Sequence, residues 1–166
     1  MQCSTNLVCI SGVTSQALTA STFSSTYDEY KIFLTISSNT ADGQIYVKLR
    51  ASGVDSSTNY NFANLIITTG AVASNGTSSG NTLGQFIGRM DAGRTDACFF
   101  EFSIAKPFLA TATTFTGTGV GSTDAGVVEG GTIIGCHTTA TSYDSINVIA
   151  SSGNFTGVIK VYGVNK

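Results

Sequence analysis

Apolar and polar residues alternate with a period of two along most of this chain. In residues 30–37 (YKIFLTIS) every even position is apolar, and in residues 44–52 (QIYVKLRAS) positions 45, 47 and 49 are Ile, Val and Leu. Side chains two residues apart point to the same face of a β-strand, so each run predicts a strand with one buried face. The intervening SSNTADG is rich in turn-forming residues and predicts that the two strands form an antiparallel hairpin.

Similar short runs recur along the chain, each bounded by Gly, Ser, Asn, Asp or Thr. They predict further strands at about residues 7–10, 60–68, 82–89, 97–105, 131–139, 145–150 and 157–163. Helical periodicity is almost absent, and no linker divides the 166 residues. We therefore expect one domain, residues 1–166, folded as an all-β, antiparallel, jelly-roll-like β-sandwich of eight to ten strands.

Two polar segments depart from this pattern. Residues 71–81 (AVASNGTSSGN) contain an Asn-Gly turn signal and predict a projecting loop. Residues 117–131 (GTGVGSTDAGVVEGG) are dense in glycine, but they contain neither GxxxxGK[ST] nor GxGxxG, and no strand-loop-helix unit surrounds them. We therefore predict no nucleotide site in this segment.

The charge content disfavours two classes of partner. Eight Lys and Arg against ten Asp and Glu give a net charge of −2, which is too little positive charge to neutralise a row of phosphates. The longest apolar runs are far shorter than a membrane span, and the opening MQCSTNLVCISG lacks the pattern of a signal peptide. We expect a soluble chain made in the cytoplasm, with no nucleic-acid partner and no insertion into a membrane.

The four cysteines, Cys3, Cys9, Cys98 and Cys136, lack the spacing of a metal site. No CxxC pair occurs, and the only histidine, His137, directly follows Cys136. Without a signal peptide, thiols that pack as small apolar side chains are favoured, whereas an oxidising compartment would allow three disulfide connectivities. We predict no metal and no cofactor.

Catalytic residues are not evident. His137 lies in an apparent strand, no GxSxG motif accompanies it, and Cys136 points to the opposite face. The acidic residues lie in or beside turns, apart from Glu101, whereas glycoside hydrolysis needs a pair of carboxylates. We therefore assign no catalytic residue.

Two aromatic residues lie on the outward faces of their predicted strands. Phe33 shares its face with Lys31 and Thr35, and Phe99 points to the face of its strand opposite to that of Phe100. An aromatic side chain in such a position either packs on a second sheet or contacts a partner. We nominate Phe33 and Phe99 as partner-interface residues, and we expect such a contact to survive high salt because few charges are present to be screened.

The end of the chain, INVIASSGNFTGVIKVYGVNK (146–166), resembles the closing strands of small β-sandwich domains in virion proteins of tailed bacteriophages. YDEYKIFL (27–34) and VKLRASGVD (47–55) resemble the early strands of the same domains. In that family these domains are head decoration proteins, head fibres or tail-fibre tips. The resemblance implies a position on the virion surface, a trimer, and attachment to other virion proteins such as the capsid shell.

These observations lead to three hypotheses. The first is a non-enzymatic structural protein of the virion surface, a capsid decoration or knob protein bound to the head shell and synthesised in the host cytoplasm. The second is the receptor-binding tip of a tail fibre that binds a host surface polysaccharide. The third is a carbohydrate-active enzyme on a jelly roll, which is disfavoured because the chain has no Trp on which a sugar could stack.

Overall fold

A computed structural model describes residues 5–92, 98–123 and 127–164. Among these residues there is no helix long and apolar enough to cross a membrane. The strands, in chain order, are β1 (Thr5–Val13), β2 (Ser15–Ala17), β3 (Glu29–Asn39), β4 (Gly43–Ala51), β5 (Val54–Asp55), β6 (Tyr60–Thr68), β7 (Ala71–Asn81), β8 (Gln85–Met90), β9 (Cys98–Ala105), β10 (Thr113–Ser122), β11 (Val128–His137), β12 (Ser145–Ala150) and β13 (Phe155–Val164).

The strands form two antiparallel sheets. The larger sheet has the order β1-β13-β3-β9-β10-β11-β6-β7, and the smaller has the order β2-β12-β4-β5, with β8 also paired to β4. The prediction of an all-β antiparallel sandwich is confirmed. The described strands outnumber the predicted eight to ten, because β2 and β5 are very short and β7 and β10 lie in segments without apolar alternation. Residue 97, the predicted start of one strand, lies outside the described residues.

The core lies between the two sheets and is built from the alternating apolar positions. Ile32 and Leu34 of β3 come from the larger sheet, Val47 and Leu49 of β4 come from the smaller, and all four are fully buried in one cluster. Burying each such side chain contributes about 1.5–3 kcal/mol. The alternation therefore identifies the side chains that hold the two sheets together.

The predicted hairpin between β3 and β4 is wrong. β3 pairs with β13 and β9 in the larger sheet, whereas β4 pairs with β12 and β8 in the smaller one. The connection therefore carries the chain across the core from one sheet to the other. This arrangement buries the apolar faces of both strands against each other, which a hairpin within one sheet would not do.

Residues 71–81 form an edge strand, β7, and not the predicted loop. Thr68 lies opposite Ala71 at one end of the β6–β7 pair, and Tyr60 lies opposite Asn81 at the other. The turn is placed at Gly70, whose φ is +87°. In the middle of β7, a Cβ atom on Gly76 would lie 2.7 Å from the carbonyl oxygen of Phe62, so this glycine permits close strand pairing and does not form a turn.

The glycine-dense segment 117–131 belongs mostly to two paired strands, β10 and β11; its residues 124–126 lie outside the described part of the chain. Its glycines create space for an aromatic ring. A Cβ atom added to Gly119 of β10 or to Gly88 of β8 would overlap the ring of Phe100, which is buried. The Phe100 ring therefore fills a cradle that only residues without a side chain can form.

Candidate interaction surface

The outer face of the larger sheet carries most of the exposed large apolar side chains. An antiparallel sheet with one solvated face normally presents polar residues there. Three other exposed apolar residues, Val54, Leu83 and Leu109, lie in or beside turns. Those on the outer face of the larger sheet are Leu7, Leu65, Ile67, Val72, Phe99, Val120, Val128 and Ile134.

One row of outward-facing residues crosses all eight strands without a charge. Directly opposite residues of neighbouring antiparallel strands point to the same face, so the strand register identifies the row. Seven spacings of about 4.8 Å make it about 34 Å long. We call it the uncharged row; its members, from β1 to β7, are Cys9, Val158, Thr35, Phe99, Val120, Gly130, Ile67 and Val72.

Phe99 lies near the middle of the uncharged row and separates two shallow depressions. The depression on the β1 side is lined by Leu7, Phe33 and Tyr162, and the one on the β7 side is lined by Ile67, Val120 and Val128. The ring centroids of Phe33 and Phe99 are 6.3 Å apart. The structure therefore brings the two nominated interface residues onto one surface, and their contact with a partner stays a prediction.

Charges on this face are confined to three adjacent strands, β13, β3 and β9. Among the described outward positions they are two lysines and two glutamates: Glu29, Lys31, Glu101 and Lys160. Lys31 Nζ lies 3.2 Å from Glu101 Oε1, and both side chains are exposed, so this pair contributes at most about 1 kcal/mol. The described outward residues of β10, β11, β6 and β7 are all uncharged.

The smaller sheet, by contrast, carries charged residues on its outer face. Lys48 and Arg50 of β4 point away from the core, opposite the buried Val47 and Leu49. Arg50 Nε lies 2.8 Å from Asp55 Oδ1, so the cation is paired within the sheet. The outer face of the larger sheet therefore carries more exposed large apolar side chains than that of the smaller sheet.

His137 is enclosed by hydroxyl groups and aromatic rings inside the sandwich. Its Nε2 lies 2.8 Å from Ser56 Oγ, its Nδ1 lies 3.2 Å from the Tyr143 hydroxyl, and the Tyr60 ring packs against it. Both ring nitrogens therefore have partners, and the side chain has no exposed surface. Burial lowers the pKa of His137. In enzymes with a serine nucleophile, the serine hydroxyl and the histidine that acts as its base are in contact at a similar distance. Here the imidazole is enclosed, and its two contacts connect β11 to two loops.

Glu129 is a buried acid that the sequence pattern did not single out. It faces inward from β11, and its Oε2 lies 3.5 Å from Nη1 of Arg89 on β8. Burial raises the pKa of Glu129, and the Arg89 guanidinium opposes that shift. Residues 5–92, 98–123 and 127–164 contain no group of three or more side chains suited to hold a metal ion.

The cysteines divide between the outer face and the core. Cys9 is a free, exposed thiol in the uncharged row, and Cys136 is a free, half-buried thiol on the same face. Cys98 is buried, and Cys3 lies outside the described residues.

No protein-family model matches the chain, and no curated protein matches it in sequence. The resemblance to bacteriophage virion domains therefore depends on the residues quoted for it. The described ones fall mainly in β3, β4, β12 and β13, which form two adjacent pairs, one in each sheet, and Val54–Asp55 form β5.

Proposed function

We propose that this chain is a non-enzymatic structural protein of the surface of a tailed-bacteriophage virion, a decoration or knob protein bound to the capsid shell. The observation that carries the proposal is the uncharged row with its neighbouring apolar side chains. Exposed apolar surface on this scale marks an interaction site in soluble proteins. The phage assignment is supported by the residues of β3, β4, β12 and β13 that resemble virion domains.

The proposed role requires a rigid domain with one face that binds neighbouring proteins. Two sheets with a continuous core supply the rigidity, and the outer face of the larger sheet supplies apolar area for contact with neighbouring proteins. Because charges on this face are few, attachment depends mainly on the burial of apolar surface. High salt screens charges and strengthens apolar burial, so attachment should survive it.

A second candidate is the polysaccharide-binding tip of a tail fibre. It is favoured by a polar depression that is separate from the uncharged row. Hydroxyl, amide, carboxylate and guanidinium groups converge there, which is a suitable set for binding the hydroxyls of a sugar. The residues that line it include Asp42, Gln44, Arg89, Ser122 and Ser151.

Cryo-electron microscopy of virions that contain the chain tests the proposal directly. We expect its density on the head shell, with the outer face of the larger sheet covered, and retention on the particle at both low and about molar salt. Density at a fibre tip, together with glycan-array binding that is lost in Arg89→Ala, would favour the second candidate. Absence from the particle, or glycan cleavage by the purified chain, would reject the structural role.

A further inference from the structure

We infer that the outer face of the larger sheet packs against the same face of a second copy of this chain. The two copies are related by a twofold axis that runs along the strands and passes between Phe99 and Val120. This inference concerns the isolated chain and does not depend on the proposed virion role; on the capsid shell, contact with a shell protein would replace this contact with a second copy. Three features of the face support it: its area, the distribution of its charges, and the position of Phe99.

The area of the face matches that of a stable dimer. Its eight strands are 8 to 11 residues long, so the face measures about 34 Å by about 30 Å, or roughly 1,000 Å². Each partner in a standard stable interface buries about 600–1,000 Å². One contact between two copies would therefore cover the whole face, including the exposed apolar side chains at both ends of the uncharged row.

The charges on the face are arranged so that two copies can meet without repulsion. The axis lies between β9 and β10, the fourth and fifth of the eight strands. It places the half that carries Lys31, Glu101 and Lys160 over the uncharged half of the other copy. Like charges are thereby kept apart, and the long lysine side chains can lie along apolar surface with their ammonium groups at the rim.

Phe99 is suited to anchor this contact. It is 43% exposed and lies next to the depression formed by Ile67, Val120 and Val128. Because the axis passes between Phe99 and Val120, each Phe99 ring faces this depression in the other copy. An aromatic ring seated at the centre of an apolar interface is the arrangement that dominates binding energy in protein complexes.

A threefold assembly, which the bacteriophage resemblance implies, uses the face differently. Each copy would then divide its face between two neighbours, because a cyclic trimer has heterologous contacts. The uncharged row runs without interruption across all eight strands, and its charge-bearing and charge-free halves are equal in width. One contact across the whole face therefore fits the row better than two half-contacts.

Sedimentation velocity of the purified chain tests the inference. We expect a dimer at micromolar concentrations, and we expect Phe99→Asp and Ile67→Asp each to weaken association at least about thirtyfold, the effect of a dominant interface side chain. Leu109→Asp is the matched control, because Leu109 is 41% exposed but lies in a loop outside the face; this variant should remain dimeric. Circular dichroism should show all three variants folded.

Crosslinking tests the direction of the axis. The proposed axis places Cys9 at one end of the uncharged row over Val72 at the other end of the second copy. With Cys3 and Cys136 changed to Ser, Val72→Cys should give a covalent dimer with a bis-maleimide that spans about 10 Å, the spacing of packed sheets. Val54→Cys, exposed but outside the face, should not. A monomer, an oligomer unaffected by Phe99→Asp, or equal crosslinking in both cysteine variants would overturn the inference, whatever the virion images show.

Discussion

Gly119 and Gly130 belong to the same β10–β11 pair, but a methyl group should have opposite effects at the two positions. At Gly119 the added Cβ would overlap Cδ1 of Phe100 and lie 3.0 Å from Cε1. The ring also lies so close to the backbone of Gly88 on β8 that a Cβ added there would overlap it. It therefore has no space to move toward β8. At Gly130 the nearest atom would be 3.5 Å away, which is an ordinary contact.

The expected size of each effect follows from these contacts. Overpacking a rigid core site costs about 1–3 kcal/mol. Replacing Gly by Ala stabilises the fold by about 0.4–1 kcal/mol, because it reduces the conformational entropy of the unfolded chain. Gly119→Ala should therefore lose about 1–2 kcal/mol of unfolding free energy, whereas Gly130→Ala should gain up to about 1 kcal/mol. For a domain of this size, the loss at Gly119 corresponds to about 2–8 °C in Tm.

Urea and thermal unfolding followed by circular dichroism would measure both variants, at concentrations low enough to keep the chain monomeric. Phe100→Leu provides a further check, because a smaller side chain should reduce the cost of Gly119→Ala by about 1 kcal/mol in a double-mutant cycle. If Gly119→Ala were as stable as Gly130→Ala, or if its cost were unchanged in the Phe100→Leu background, the explanation of the glycine-dense segment as a cradle for Phe100 would fail.

Three further predictions concern single side chains. Burial lowers the pKa of His137 below its value in the unfolded chain, so its contribution to stability should be complete above about pH 6.5 and should decline as the pH falls below that value. His137→Ala should flatten this part of a curve of unfolding free energy against pH. The same variant should leave any binding to a partner intact. The raised pKa of Glu129 means that its carboxylate is disfavoured in the fold, so Glu129→Gln should be more stable than the parent at neutral pH, and this advantage should disappear as the pH falls toward about 4; a stability loss at pH 7 would contradict it. Leu34→Asp should abolish folding, because an unpaired carboxylate in the core costs several kcal/mol out of a total of about 5–15; a native-like spectrum would show that Leu34 is not a core residue.

Alternation predicted the strands but not the sheet to which each belongs. β3 and β4 were recognised because Ile32, Leu34, Val47 and Leu49 occupy alternate positions, and all four are buried. The turn residues between them are equally suited to a hairpin and to a crossing between sheets, because turn chemistry constrains only local backbone angles. The strand that pairs with a given strand depends on how the whole core packs, and this cannot be predicted from the residues of the turn.

The candidate surface was only partly visible in the sequence. Phe33 and Phe99 were identified because they are aromatic residues on outward faces. Val72 was missed because its segment was predicted to be a loop, and Val120 was missed because no strand was predicted in the glycine-dense segment. A signal was present in β10, where Gly117, Gly119 and Gly121 alternate with larger residues. Period-two alternation of glycine with other residues can thus mark a strand whose inner face packs against a bulky ring.

The position of β13 has a consequence for how the chain folds. β13 lies between β1 and β3, so β1 can join the larger sheet only through β13. Until residues 155–164 leave the ribosome, β1 has no neighbour in its sheet, and the buried faces of Phe155, Ile159 and Val161 are missing from the core. Pairings between such distant segments are slow to form. Folding of this domain should therefore be completed only after β13 has been synthesised, and a nascent chain that stalls before β13 should expose apolar surface to chaperones and proteases.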